Sequence, residues 1–299
     1  MTKSIRLISL LCLFAVCNQA KAQSDSLRAR SSVFFSPDNI LSFADFLWRQ
    51  NDYPRAIDEY QRYLFSTRVG KRSYACYQLG RCYLRTGNPD RAAGYFAQAA
   101  GHATQPAFKD SMRVAHVAAL LVADQSEPFL RAIDTIAVHL YSTELQQRLL
   151  KLKVLYFLKQ KKWGKAIDVL NNASNSGDYK TKPDLFNLAL RGQNLPRKST
   201  WAAATLSTLI PGTGKLYAGR ISDGLYSLIL IGGNAWLAYE GFRDKGVSSF
   251  KGWLFGTIGA VFYVGNIYGS VVAVRLYNKS TENTLLNDIQ AQIRISTHF

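Results

Sequence analysis

Acidic side chains are scarce in this chain: 20 Asp and Glu stand against 37 Lys and Arg, a formal charge of +17. Histidine is scarcer, and His102, His116, His139 and His298 form no ligand pair at helical or strand spacing. No Cys or carboxylate partners complete a metal set around them, so no metal site is expected. Gly-x-Ser-x-Gly is absent, which removes the nucleophile elbow. Gly212-Thr213-Gly214-Lys215 resembles part of a phosphate loop, but Leu209 and Leu216 stand where that loop needs Gly and Ser or Thr. Neither a catalytic residue nor a cofactor is expected, and the chain reads as non-enzymatic.

Cysteine is equally sparse. Of four, Cys12 and Cys17 fall in the first 22 residues, leaving Cys76 and Cys82. Six residues apart on one helix, these lie about 9 Å apart along the axis, too far to bridge. They read as small core residues, and packing alone must hold the fold.

Residues 1–22 carry Lys3 and Arg6, the apolar run Leu7–Val16 and Ala20-Lys21-Ala22, the layout of a cleaved secretory signal. Cleavage would remove three basic residues and no acid, taking +17 to +14. An exported chain rarely meets nucleic acid, so none is expected as a partner. Residues 23–36 form a linker.

What the chain has in quantity is helical periodicity. In Tyr74–Ala100, Leu79-Gly80, Tyr83, Ala92, Phe96 and Ala99 mark two helices broken by Thr86-Gly87-Asn88-Pro89. Gly80 and Ala92 permit close approach, and Tyr83 and Phe96 fill the seam. Ala56, Ala92, Ala132 and Ala166 recur 36, 40 and 34 residues apart, and Tyr60, Phe96, Ile136 and Leu170 follow each by four. The weakest unit is the third, with Ala119-Leu120 for Leu-Gly and Glu127-Pro128 near its turn. Regular recurrence of a hairpin that cannot bury its own apolar face points to a stacked array.

The stretch Tyr74–Ala100 resembles a tetratricopeptide repeat, with Cys76 where Trp is usual and the closing Pro displaced to Pro106. The resemblance implies an all-α helical hairpin solenoid over 37–192, closed by a capping helix in Pro183–Arg191. It also implies a concave face lined by the first helix of each hairpin. Carried onto this sequence, that groove holds Trp48 and Arg49; Tyr74, Tyr77, Arg81 and Arg85; and Arg148, Lys151 and Lys159. Arginine forks and aromatic anchors suit an acidic peptide or a C-terminal carboxylate.

After a basic linker, 193–200, composition changes at Trp201. Gly252–Val274 is 23 residues without a charge, enough to cross a bilayer core. Gly224–Tyr239, extended to Phe242, gives a second span, so a transmembrane helical hairpin follows the solenoid, with spans about 224–242 and 252–274. Ahead of it, Pro211, Gly212, Gly214, Tyr217, Gly219, Arg220, Asp223 and Gly224 resemble the Pro-Gly-x-Gly-x-x-Tyr-x-Gly signature of TM2-like membrane modules, over about 201–278. Those modules have no agreed chemistry. The physical reading is a tight turn at the membrane surface, with Asp223 pairing Arg220. Two rows of small residues, Gly252/Gly256/Ala260 and Gly265/Gly269/Ala273, allow close packing of the last span, one row against the first span and one against a membrane protein. Residues 279–299 read as a polar tail.

These readings make the chain an envelope scaffold or adaptor of the bacterial cytoplasmic membrane, with the repeats on the periplasmic side holding a protein or acidic-peptide partner beside membrane lipids. The alternative is a regulatory or structural subunit of a membrane transport, channel or insertion complex. Topology stays open at two or three crossings. Length favours two, with Trp201–Tyr217 dipping into the interface; the distribution of basic residues favours three.

Overall fold

A computed structural model describes residues 35–137, 142–175 and 183–297, together with residues 21 and 140. The signal sequence, most of the 23–36 linker, His139 and His298 lie outside the described residues. The chain is all-α, and no strand occurs among the described residues. It divides into two units, Met1–Tyr156 with Ile293–Phe299, and Phe157–Gln292.

Helices pair as hairpins in chain order. These are α1 (Pro37–Arg49) with α2 (Tyr53–Ser66), α3 (Arg72–Arg85) with α4 (Pro89–His102), and α5 (Pro106–Val122) with α6 (Ser126–Ala137). Next come α7 (Thr143–Lys159), α8 (Trp163–Asn175) and α9 (Pro183–Gln193), with α8 packed on α9. Proline opens the chain's helices where its missing N–H costs nothing: Pro37, Pro54, Pro89 and Pro106 lie at the first turn. Ser36 and Asp52 add side-chain caps to α1 and α2.

The four hairpin turns share one backbone device. Asn51, Gly87, Asp124 and Lys161 each take a left-handed conformation, φ 60°, 76°, 60° and 56°. Just beyond them Asp52, Asn88, Gln125 and Lys162 donate N–H to the carbonyls of Leu47, Tyr83, Leu120 and Phe157. That six-to-one bond is the Schellman closure, which satisfies carbonyls the helix end leaves open. The turns recur every 36 or 37 residues, a more even period than the alanines show.

The first unit's core is made of fully buried large side chains from second helices, Tyr60, Phe96 and Phe129, against Leu79, Leu121 and Leu155. Each such side chain contributes about 2–3 kcal/mol by leaving water. Gly80 is required by Phe96: a Cβ there would sit 2.7 Å from the ring. Ala56, Ala92 and Ala166 are fully buried, whereas Ala132 is half-buried and Phe129 and Ile133 turn inward in its place. The third hairpin is therefore rotated by about one residue relative to the others.

In the second unit, α10 (Thr200–Leu209) ends before Pro211, and α11 (Thr213–Tyr217) follows. The long helices are α12 (Ile221–Lys245) and α13 (Phe250–Ser296), joined by a 3-10 turn at Gly246–Ser248. Helix α13 runs unbroken for 47 residues, so the polar tail expected at 279–299 is the continuation of the apolar segment. Leu285, Ile289 and Ile293 bury one stripe of it. Arg191 of α9 bonds Asp288 at 2.9 Å, and Lys161 pairs with Glu282.

Candidate functional site

The first unit collects aromatics and cations on the faces of α1, α3 and α7. The Arg81 guanidinium lies 4.2 Å from the centre of the Trp48 ring and 5.8 Å from that of Tyr77. Such stacking contributes about 0.5–2 kcal/mol and holds the fork in place. Gln78 accepts from Arg81 at 2.8 Å, and Arg85 lies over Tyr53, itself 5.0 Å from Trp48. Tyr77 packs against Phe96 and brings its field to Arg148, whose guanidinium burial holds below its usual value. Trp48, Tyr77, Arg81 and Arg148 are half-buried; Arg49, Tyr74 and Arg85 are exposed, and Lys151 is half-buried. Lys159 lies in the second unit.

Three participants escape sequence reading. Asp45 accepts from Tyr60 Oη at 2.6 Å and Tyr74 Oη at 3.0 Å, while Gln78 donates to Tyr74 Oη at 2.7 Å. Burial raises the hydroxyl of Tyr74, and that of Tyr60 further with the Asp45 bond added. Asp45 thus anchors a chain of hydrogen bonds that fixes the aromatic wall. One acid on an amphipathic helix gives no sequence signal of this. Tyr53, at the start of α2, completes the cation stack.

The two described cysteines are not poised for covalent chemistry. Cys76 and Cys82 are free and buried, and burial pushes the Cys82 thiol up to about 12. His116 Nδ1 lies 2.9 Å from the Ala93 carbonyl, which ties α5 to α4. No cluster of three metal-ligating side chains occurs among the described residues.

Around α10–α13 the polarity is reversed. Ser207, Ser227, Ser249, Asn266 and Ser270 are buried, while Trp201, Ile229, Trp236, Phe250, Val261, Val264 and Tyr268 are exposed. Ser207 and Ser270 hydroxyls bond at 2.6 Å, and Gly214 N donates to Ser207 Oγ at 3.0 Å. Neither polar atom of the Asn266 side chain has a partner among the described residues. Asn234 donates to the Leu230 carbonyl.

The glycine-rich segment is a knot of backbone. Gly212 sits at φ 91°, where a Cβ would collide with the Gly224 carbonyl; one on Gly214 would strike the Ala203 carbonyl. Gly224 faces Leu216 at 2.7 Å. Only residues without a Cβ let the chain reverse so sharply. The reversal brings both ends of α10–α11 together. Lys198 Nζ donates to the Tyr217 carbonyl at 2.8 Å, and Ser199 N to Tyr217 Oη at 3.1 Å. At the inner end, Tyr263 of α13 reaches the Thr208 carbonyl at 2.6 Å. Arg220 pairs with Asp223 at 2.5 Å. Gly219 takes φ 88° with open space around it.

Small residues on α13 divide differently from their spacing. Gly252 meets Phe242, Gly256 meets Ala238, and Gly259 meets Asn234; Ala260 is exposed. Of the second row, Gly269 faces Lys215 at 3.3 Å and Ala273 packs with Ala203 and Ala218, whereas Gly265 is exposed to open space.

Helix α13 is long and apolar enough to cross a membrane, by length and composition. Only 28 % of its most apolar stretch is buried, where the core helix of a soluble domain would be mostly buried.

Residues 75–109 match the tetratricopeptide repeat family. The match falls on α3, α4 and the start of α5, where Gly80, Ala92 and Phe96 form the seam just described. Tetratricopeptide repeats are typically non-catalytic scaffolds for protein–protein interaction. No curated protein and no solved structure gives a significant match to the chain.

Proposed function

We propose that the protein is a membrane-anchored scaffold of the bacterial envelope whose tetratricopeptide-type face holds an acidic peptide segment or C-terminal carboxylate of a partner protein. The observation that carries this reading is the stack of Arg81 on Trp48 and Tyr77, with Arg85 and Arg148 nearby. A pre-oriented guanidinium loses little freedom on pairing a carboxylate, and the rings beside it supply contact area. Anchoring is supported by the reversed polarity of residues 200–278, since apolar side chains facing outward and hydroxyls facing inward suit hydrocarbon as solvent. Among the described residues α13 alone is long and apolar enough to cross a membrane; in this reading α12 is the second crossing, with the returning α10–α11 segment dipping into the interface beside it. The signal sequence would place the repeats on the periplasmic side.

Partner recovery tests the face. Detergent-solubilised protein carrying Arg81→Glu and Arg85→Glu should lose crosslinked partner by tenfold or more with helicity unchanged. Recovery equal to wild type would overturn the reading.

A second reading, a subunit of a transport, channel or insertion complex, is favoured by one observation. Lys215 reaches Ser227 Oγ at 2.7 Å inside the module, and the Asn266 amide lies buried without a partner among the described residues. Interior polar groups at membrane depth commonly mark conduction paths. Glu240, the acid inside the 224–242 segment, is spent in a 2.7 Å pair with Lys251.

A further inference from the structure

Within the second unit, a recess of about 440 Å³ is lined by Lys161, Arg197, Arg275, Asn278, Lys279, Glu282, Asn283 and Leu286. Arg275, Lys279, Glu282 and Leu286 occupy one stripe of α13, immediately past the apolar stretch. Four cations thus surround a single carboxylate. Lys161 bonds Glu282, and Arg197 lies 3.8 Å from its other oxygen. Arg275 and Lys279, both exposed, enter no ion pair among the described residues. Lys198 makes a useful contrast, being spent on the Tyr217 carbonyl and the Tyr277 ring, 3.9 Å away.

Two further features single out this recess. Lys161 is the one left-handed hairpin residue that is neither Gly, Asn nor Asp, so its backbone carries strain that glycine would relieve. The strained backbone carries the Lys161 side chain to Glu282. The α13 residues of the recess begin at Arg275, the first charge after the uncharged run Gly252–Val274. That is headgroup depth if α12 and α13 cross the bilayer.

We propose that this recess binds a phosphate group, with Arg275 and Lys279 as its principal ligands, Arg197 and Asn278 assisting, and Lys161 held in place by Glu282. The Lys161 bond, then the charges of Lys161 and Arg197, keep the Glu282 carboxyl below its ordinary value, so it stays charged and orients the cations. Phosphate can come from an anionic phospholipid or from a soluble ester. The lipid source rests on the anchoring reading, while the recess itself does not.

The test uses the full chain in neutral detergent, titrated with dioctanoyl phosphatidylglycerol, dioctanoyl phosphatidylcholine and inorganic phosphate, with intrinsic tryptophan fluorescence as readout. Arg275→Gln/Lys279→Gln should weaken phosphatidylglycerol binding roughly tenfold or more. Arg68→Gln/Lys71→Gln, an equal charge change in the first unit, should leave it unaltered. Preference for phosphatidylglycerol over inorganic phosphate assigns the lipid source, and equal affinity assigns a soluble one. No saturable binding by either, or equal loss in both double variants, would overturn the site. Alkaline carbonate extraction of membranes separates the two readings. Release of a protein that still binds phosphate would remove the anchor and leave the recess.

Discussion

The two ends of this chain pack with opposite polarity. In the repeats, Tyr60, Phe96 and Phe129 are fully buried while no arginine or lysine among the described residues is. In the segment from Thr200 to Asn278, serines and an asparagine are inside while tryptophan, isoleucine and phenylalanine face out. Glycine serves both, but differently. Gly80 makes room for an aromatic ring in the repeats, as Gly252 does for Phe242, whereas Gly212 and Gly214 make room for backbone carbonyls. Where burial of apolar surface drives association, small residues accommodate large ones. Where hydrocarbon gives no such drive, small residues let backbones touch.

That contrast predicts an all-or-none result first. In a Cys76→Ala/Cys82→Ala background, single Ser248→Cys and Ala291→Cys variants, both at exposed positions, are treated in intact cells with an impermeant thiol reagent. Two crossings with periplasmic repeats expect label at 291 and none at 248. Label at 248 alone would mean that Trp201–Tyr217 also crosses. The next largest effect is expected at Gly212→Val, which combines a positive φ with collision against Gly224. We expect on the order of 4 kcal/mol of lost stability, seen as loss of protease resistance of the 200–278 fragment. A mild effect confined to a few tenths would mean the turn can relax. The smallest is Gly87→Ala. With open space around it, the cost is conformational alone, about 1 kcal/mol. Urea titration should show a lowered midpoint with unchanged slope.

The solenoid is legible in the sequence because its device is local: Asn51, Gly87 and Asp124 are residue types that tolerate the left-handed turn. Lys161 is not such a type, and the fourth turn shows only through its period. The third hairpin misleads because alanine at 132 keeps the spacing while Phe129 and Ile133 take the seam, a rotation that only packing against neighbours decides. The cations and aromatics of the candidate face are legible from repeat position, but Asp45 is not, since its role depends on Tyr60 and Tyr74 from two other helices. The continuation of α13 escapes notice for another reason. Composition changes at Arg275 and Asn278–Thr284 is rich in loop-type Asn, Ser and Thr, yet no glycine or proline occurs from Val271 to Phe299 to end a helix. Leu285, Ile289 and Ile293 recur every four residues, the signal that could have found it.

A 47-residue helix is about 70 Å of stiff shaft with no joint where apolar becomes polar. Any change in the lean of its apolar portion must swing the far portion as well. A change of about 10°, well within what membrane helices adopt, would carry Asp288 about 4 Å relative to Val274. Since Asp288 and Glu282 hold Arg191 and Lys161, the end of the repeat array would either follow or let go. With the apolar portion in a bilayer, as proposed, membrane thickness would act on this protein as a hand acts on a lever.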